Sequence, residues 1–393
     1  MKILFLTPGC FDKGGISRYC RYQIEALRTL FGETNVTVLS LLGPDETSFE
    51  TPIRVDWNGR SGGLWDKMRF SHQALRSALS ARPDVIHVAH VNLTPLAVQA
   101  ARISGAHTIL NVYGLEIWSG LSDRRRRSVR AIDQLMADCH FTSDYVTKAQ
   151  IHASQPKVIW DCVDLDRFCP GSCPPETLRK YGLPNKSSHF VIMTLGRLDR
   201  ASVYKGYDRL LQVFAQVHRL CPDARLVIAG QGNDRRRLET VAENCGLEGV
   251  ISFTGAIAED DLADVYRSAT VFSLVSDWGH GRGEGIPLTP LEAMSCGVPI
   301  VVGNQDGSRE AVISDQGGFS IDPLDLDRHA EVLLMLARSP EILQAMRTGA
   351  RSSAMEFFGY DRFVEQHSSL YEDMWQEGES KRCRSDLALG RPS

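Results

Sequence analysis

Short runs of continuous apolar residues alternate with amphipathic stretches along most of this 393-residue chain. Runs at 2–7, 36–41, 85–90, 108–112, 140–142 and 158–161 read as strands of a first block. Runs at 190–195, 224–229, 250–254, 271–275 and 300–302 read as strands of a second. Between the first two strands, Ile16, Tyr19, Cys20, Ile24, Leu27 and Phe31 keep helical spacing. Helices are expected again at 207–220, 235–244, 260–269 and 326–337, then as a pair at 341–355 and 360–375. Strands that are apolar on both faces must be covered on both faces, which places helices on each side of a parallel sheet. The chain is too long for one ordinary core, and the stretch Cys-Pro-Gly-Ser-Cys-Pro-Pro at 169–175 marks a break. The expectation is an α/β protein with two doubly wound domains, 1–168 and 186–355, facing a cleft. A terminal helix at 356–376 is expected to pack back across the hinge, with 377–393 as a flexible tail. Ligands of open parallel sheets bind beyond the carboxyl ends of the strands, so both lobes should present loops to the cleft.

Composition removes several classes. No run of about 18 apolar residues exists, so no membrane span is expected. The apolar run after Met1 lacks the length and cleavage site of a signal peptide. Ten cysteines are scattered without a CxxC pair, which points to free thiols in a reducing cytoplasm and to no metal site. A net charge of −4 argues against nucleic acid as a partner. The charge is uneven, +3 over residues 1–170 and −7 over the rest. Arg124, Arg125, Arg126, Arg127 and Arg130 account for most of the basic excess. Such a run is either a solvated helix face or a surface for anionic lipid or a diphosphate-bearing acceptor, which would make the protein peripheral at the inner membrane face.

Residues able to carry chemistry cluster at the predicted strand ends. Gly14 and Gly15 follow the first strand and open the first helix, where backbone N–H groups can meet an anion. The dinucleotide fingerprint GxGxxG is missing both there and around Gly230-Gln231-Gly232, which counts against a nicotinamide cofactor. Arg197 ends the first strand of the second block and Lys205 opens its helix, so two cations converge on the switch-point crevice. Glu284 and Glu292, with seven residues between them, flank Gly-Ile-Pro-Leu-Thr-Pro-Leu. Thr289, Pro290 and Glu292 have the pattern of a capping box, which would leave Glu292 a structural role. That reading does not explain Glu284 or the glycines at 279, 281, 283 and 285, whose density suits close backbone approach to a ligand.

Taken in order, Gly14-Gly15, Gly196-Arg197-Leu198, Lys205-Gly206, Phe253-Thr254-Gly255, the Glu284/Glu292 pair with Glu-Ala-Met-Ser-Cys-Gly-Val-Pro at 292–299, and Asp306-Gly-Ser-Arg-Glu310 resemble the retaining nucleotide-sugar glycosyltransferases of family four. The resemblance spans residues 1–375 and is strongest in the second block. It implies the GT-B fold, two Rossmann-like domains around a cleft. It also implies that Arg197 and Lys205 hold the donor diphosphate, Glu292 the ribose and Glu284 the donor sugar. Gly255, Ala256 and Ile257 would meet the base, amides at Ile286, Pro287 and Leu288 the phosphates, and Gly15 the diphosphate from the opposite lobe. The nucleoside-diphosphate sugar is a co-substrate, with no further cofactor. Uridine is the first expectation for the base, from its frequency in the family, and a glycan, lipid-linked, for the acceptor. Tyr113-Gly114-Leu115-Glu116 departs from the family pattern, which has histidine before Gly-x-Glu/Asp. His87, His90 and Asn92 are candidates to replace it, beside the Tyr113 hydroxyl and Glu116. Two other functions fit the same scaffold, a nucleotide-sugar 2-epimerase and a non-catalytic sugar-nucleotide-binding protein.

Overall fold

A computed structural model describes residues 1–46, 48–49, 53–313 and 316–388, with side chains to residue 376. The first of two sheets contains β1 (Ile3–Thr7), β2 (Val36–Ser40), β3 (Trp57–Asn58), β4 (Val85–Val88), β5 (His107–Val112), β6 (Gln134–Ala137) and β7 (Lys157–Val158). Its order is β3-β2-β1-β4-β5-β6-β7. The second contains β8 (Phe190–Leu195), β9 (Ala224–Ala229), β10 (Ile251–Gly255), β11 (Val271–Leu274), β12 (Ile300–Gly303) and β13 (Gly318–Ile321), in the order β10-β9-β8-β11-β12-β13. All pairings are parallel. Chain order reverses between β1 and β4 and again between β8 and β11, which opens a crevice at the carboxyl edge of each sheet. β1, β4 and β12 are buried along their whole length, as apolar runs covered on both faces must be. This is the two-lobed α/β architecture that the alternating pattern implied.

The chain crosses between the lobes twice, and the crossings lie side by side. Val163 N–H donates to the Phe358 carbonyl at 2.8 Å. Arg351 binds the carbonyls of Leu165, Phe168 and Ser295 and so ties the first crossing to the second lobe. The final helix, Tyr360–Ala388, lies on the first lobe, where Phe363, Leu370, Tyr371 and Met374 share a core with Phe5, Tyr19, Ile24 and Leu27. It continues past residue 376, where a tail was expected; residues 389–393 of that tail lie outside the described residues.

One strand assignment is corrected. Residues 140–142 begin a helix, His140–Lys148, and β6 lies six residues earlier. The helix is specified by partners that local sequence does not reveal. Cys139 Sγ accepts from Thr142 N–H at 3.4 Å, and the distant Glu310 carboxylate accepts from His140 and Phe141 N–H at 2.8 Å each.

The final helix is fastened by buried polar groups. His87 Nε2 meets Asn111 Oδ1 at 2.6 Å, and an amide oxygen can only accept, so the proton sits on Nε2. Nδ1 then accepts from the Tyr371 hydroxyl at 2.6 Å. Asn111 Nδ2 donates to Gln23 Oε1 at 2.7 Å, and Gln23 Nε2 donates to His367 at 2.9 Å. Burial pushes His87 down to about 3 and His367 to about 4, so both are neutral at pH 7. Tyr371→Phe leaves His87 Nδ1 without a donor in a dry core. It should lower unfolding free energy by about 1–3 kcal/mol, read by chemical denaturation; an unchanged midpoint would show that the network adds nothing to stability.

Candidate functional site

The second-lobe wall of the cleft starts at the end of β8. Arg197 is exposed there and lines a pocket of about 310 Å³ with Asp199, Ser202, Tyr204, Gly281 and Arg282, faced by Leu115 and Ser119 of the first lobe. A short 3-10 segment, Arg200–Lys205, kinked at Ser202, then reaches Gly206, where φ is +78° and an added Cβ would lie 2.5 Å from the Val275 carbonyl. Only glycine fits that turn, which swings the chain into the helix Tyr207–Leu220 and sets Lys205 Nζ against Glu284 Oε1 as a largely buried ion pair. Glu284 is also fixed through its backbone. Its N–H donates to Asp306 Oδ2 at 2.8 Å, and its carbonyl accepts from Gly307 N–H at 3.0 Å. Burial pushes the Asp306 carboxyl up to about 6 against the pull of that N–H.

The capping box is not formed. The helix Leu288–Ser295 starts two residues earlier than its pattern implied, with Pro287 at the N-cap (φ −78°) and no side-chain cap. Glu292 is thereby the fifth helical residue, and Pro287 offers no cap N–H for it to meet. Its side chain is 3% exposed. Oε2 accepts from the Tyr266 hydroxyl at 2.7 Å, and Oε1 lies 3.6 Å from Nε of Arg18, a residue of the first lobe. Arg18 also donates to Glu259 Oε1 at 2.7 Å, as does Arg167 of the hinge. Burial raises the Glu292 carboxyl above its ordinary value, with Arg18 and the Tyr266 bond pulling it back. For Glu259 burial again raises it, but the Arg18 bond and the charges of Arg18 and Arg167 outweigh that and leave it below the usual range.

The other expected second-lobe residues lie along the same edge. Gly255 ends β10 with φ +74° and accepts from Gly230 N–H at 3.0 Å; Ala256 is exposed and Ile257 half-buried. Ile286, Pro287 and Leu288 are buried at the start of the Glu292 helix.

On the first lobe, the helix Gly15–Phe31 opens at Gly14, and Gly15 is exposed with open space where a Cβ would stand. Asp12 sits beside this helix start, accepting from Gly14 N–H at 3.2 Å and from the Ser17 hydroxyl. Two expectations for the sugar side are corrected. The Tyr113 hydroxyl turns into the core, where it accepts from Asn111 Nδ2 at 2.8 Å, because the ring packs edge-on against Tyr19. His87 is fully buried in the same network. Glu116 folds back to accept from Tyr113 N–H at 2.7 Å. His90 is half-buried at the end of the β4 turn and accepts from the N–H of exposed Asn92 at 3.2 Å. Burial lowers its pKa, Glu116 raises it and Arg125 lowers it, for a net value below the ordinary one.

The lobes touch directly. Trp278, on the loop after β11, packs edge-to-face with Trp118 at 4.9 Å and Phe141 at 5.1 Å between ring centres. The Glu310 carboxylate, besides capping His140–Lys148, accepts from Trp160 Nε1 at 2.8 Å. A Cβ at Gly285 would lie 2.1 Å from Asp138 Oδ2 and 3.0 Å from the Tyr113 carbonyl. Asp306 and Glu310 stood within the quoted motifs without an assigned role, and Arg18 lies three residues past the quoted Gly14-Gly15. Asp138 and Trp278 gave no local signal, since their partners lie on the other lobe. Gly285→Ala should hold the lobes apart without disturbing either core. Activity should fall at least about tenfold while each lobe keeps its fold by circular dichroism; wild-type rates would show that this contact is dispensable.

Comparison with known proteins gives the family and the fold. Residues 13–167 match the model of glycosyltransferase family 4, and residues 178–353 match that of glycosyl transferases group 1. A GDP-mannose-dependent α-(1-6)-phosphatidylinositol monomannoside mannosyltransferase of Mycobacterium tuberculosis is 30% identical over 283 residues, 70% of this chain and 72% of that protein. A D-inositol 3-phosphate glycosyltransferase of Corynebacterium jeikeium is 30% identical over 227 residues, 56% and 52%. Anabaena HepE in complex with UDP superposes with a TM-score of 0.76 at 18% identity, covering 95% of this chain and 100% of that one. Sucrose-phosphate synthase from Thermosynechococcus elongatus gives 0.77 at 19%, covering 96% and 100%. The chain therefore belongs to glycosyltransferase family 4 and is a hexosyltransferase-type enzyme with the GT-B fold.

Proposed function

We propose that the enzyme transfers mannose from GDP-mannose to a hydroxyl of a lipid-linked acceptor, with retention at the anomeric carbon. One observation carries the donor site: beyond β8, Arg197 lines the pocket and Lys205 pairs with Glu284, while Glu292 meets Arg18 of the first lobe. In this reading Arg197 and Lys205 hold the diphosphate, Glu284 the sugar and Glu292 the ribose. Gly255, Ala256 and Ile257 face the base, the backbone at 286–288 meets the phosphates, and Gly15 approaches from the first lobe. The name of the mycobacterial relative supports guanosine rather than the uridine first expected. The acceptor oxygen attacks C1 as the bond from C1 to the diphosphate breaks, and its proton passes to the departing phosphate oxygen. The two cations stabilise charge that grows on that group, which leaves no step requiring a metal ion. His90 and Asn92 stand on the acceptor side.

A second observation supports a lipid acceptor. The helix Leu64–Ala81 presents Leu64, Trp65, Met68 and Leu79 to solvent at 73%, 75%, 55% and 61% exposure. Lys67, Arg69 and Arg76 are exposed between them, while Asp66, the helix's acidic residue, turns inward to accept from Ser61 N–H at 2.8 Å. The face is thus apolar and basic, the pattern of a helix lying on an anionic bilayer. The helix packs on Thr94–Ser104, which packs on the arginine-rich helix Asp123–Arg130.

Incubation with GDP-, UDP-, ADP- and dTDP-sugars tests the donor. GDP-mannose should raise the melting temperature by mass action and give a mannosylated lipid with chelator present. Transfer from a UDP-sugar, or neither transfer nor donor hydrolysis, would overturn the reading. Lys205→Ala and Arg197→Ala should each lose at least about tenfold in kcat/KM, about 1.4 kcal/mol; unchanged values in both would remove the phosphate assignment. Vesicles containing anionic lipid should bind the enzyme and neutral ones should not, with Trp65→Ser/Met68→Ser abolishing binding; equal binding by that variant would exclude this face.

A further inference from the structure

Arg18 belongs to no motif role assigned above, yet it is the first-lobe side chain that meets the glutamate proposed to hold ribose. It lies one turn into the helix that follows Gly14-Gly15, and its guanidinium crosses the cleft. NH1 donates to Glu259 Oε1 at 2.7 Å and Nε stands 3.6 Å from Glu292 Oε1. The Phe49 ring covers its outer side with Cζ 5.0 Å from the ring centre, shielding the pair from water. Arg167 shares Glu259 but makes no ion pair with Glu292 among the described residues. We infer that Arg18 is a positioning residue of the donor site: by reaching across the cleft it supplies the positive charge that lets Glu292 accept two ribose hydroxyls, so that nucleotide is held tightly only with the lobes closed. This rests on the ribose role proposed for Glu292.

The physical need is specific. A carboxylate buried this deeply is costly unless paired. Protonated, it presents one hydroxyl as a donor and loses an acceptor that the second ribose hydroxyl requires. The charged and titratable groups facing Glu292 are Arg18 and Tyr22 of the first helix, Tyr266, Glu259, Arg167 and Asp161 of the hinge, and Cys296 past its own helix. Glu259 and Asp161 are carboxyls and work against its ionisation; Arg167 helps through space only. Burial is the leading influence that raises the Glu292 carboxyl, and Arg18 is the first of those that lower it. Removing Arg18 therefore raises it further. The sign follows: binding that needs the ionised form fails as pH falls, and recovers as pH rises.

Nucleotide affinity should be measured by tryptophan fluorescence between about pH 5.5 and 8.5, with GDP and UDP as probes, for wild type, Arg18→Met, Arg18→Gln, Arg18→Lys and Glu292→Gln. Wild type and Arg18→Lys should be flat over most of the range. The two neutral variants should bind about tenfold more weakly near pH 6 than near pH 8, because without Arg18 the carboxyl is raised further. Glu292→Gln should be weak and flat, and adding Arg18→Met to it should change nothing. Neutral variants whose profile parallels wild type, whether uniformly weaker or unchanged, would overturn the role of Arg18 while leaving the ribose reading intact. Wild-type affinity in Glu292→Gln at every pH would overturn the ribose reading itself.

Discussion

Two carboxylates sealed between two lobes are the constraint on which the closed form depends. Glu259 and Glu292 belong to the second lobe, yet Arg18 comes from the first and Arg167 from the hinge. Burying such charges costs several kcal/mol each unless they are matched, so the lobes cannot open without hydrating this cluster or pairing it anew. The aromatic contact of Trp278 with Trp118 and Phe141 and the Glu310 cap on His140–Lys148 act at the other end of the same seam. The interface thus combines charged contacts at Glu259 and Glu292 with aromatic contacts around Trp278. That combination suits a cleft that must open for exchange and close for reaction.

The same arrangement explains what could be read from the sequence. The strands at 190–195 and 224–229 were legible residue for residue, since continuous apolar runs bounded by polar turns have few alternatives to a buried parallel strand. β3 and β13 escaped notice, being two and four residues long, with Asn58 in one and Gly318 in the other. The strand expected at 140–142 failed because its amides are satisfied by Glu310, 170 residues away. The capping box failed for a related reason: Thr289 and Glu292 have the right spacing, but Pro287 starts the helix early and a first-lobe arginine draws the carboxylate toward the cleft. The second-lobe wall was drawn from segments around 197, 205, 255 and 284–292, of which the structure brings Lys205 and Glu284 into contact. The first-lobe contribution depends on tertiary approach, which no local pattern encodes.

Tyr113 illustrates a different limit. Spacing placed it where relatives have a histidine, and its polar hydroxyl made it a plausible substitute. Packing decides otherwise. The ring lies against Tyr19, and the hydroxyl joins Asn111, itself locked to neutral His87. A network whose donors and acceptors are all matched has one low-energy arrangement, and rotating the tyrosine outward would orphan Asn111. The final helix supplies Tyr371 to that network, so the chain's last segment helps decide which atoms of the first lobe face the cleft.

Charge pairing across the cleft also bears on how a donor would enter. Lys205 is already neutralised by Glu284, and Arg18 by Glu259. A nucleoside diphosphate would therefore exchange partners rather than simply add charge. Its phosphates would take Lys205 from Glu284, whose freed carboxylate could then accept a sugar hydroxyl, and its ribose would share Glu292 with Arg18. Each exchange replaces one ionic contact by another, so the net gain is modest for a bare nucleotide. It is larger for a molecule that carries both diphosphate and sugar, because only then do Lys205 and Glu284 both regain partners. On the roles proposed above, such a site would discriminate the full donor from its diphosphate product by the partner that the sugar returns to Glu284, and the same imbalance would favour release once the sugar has been transferred.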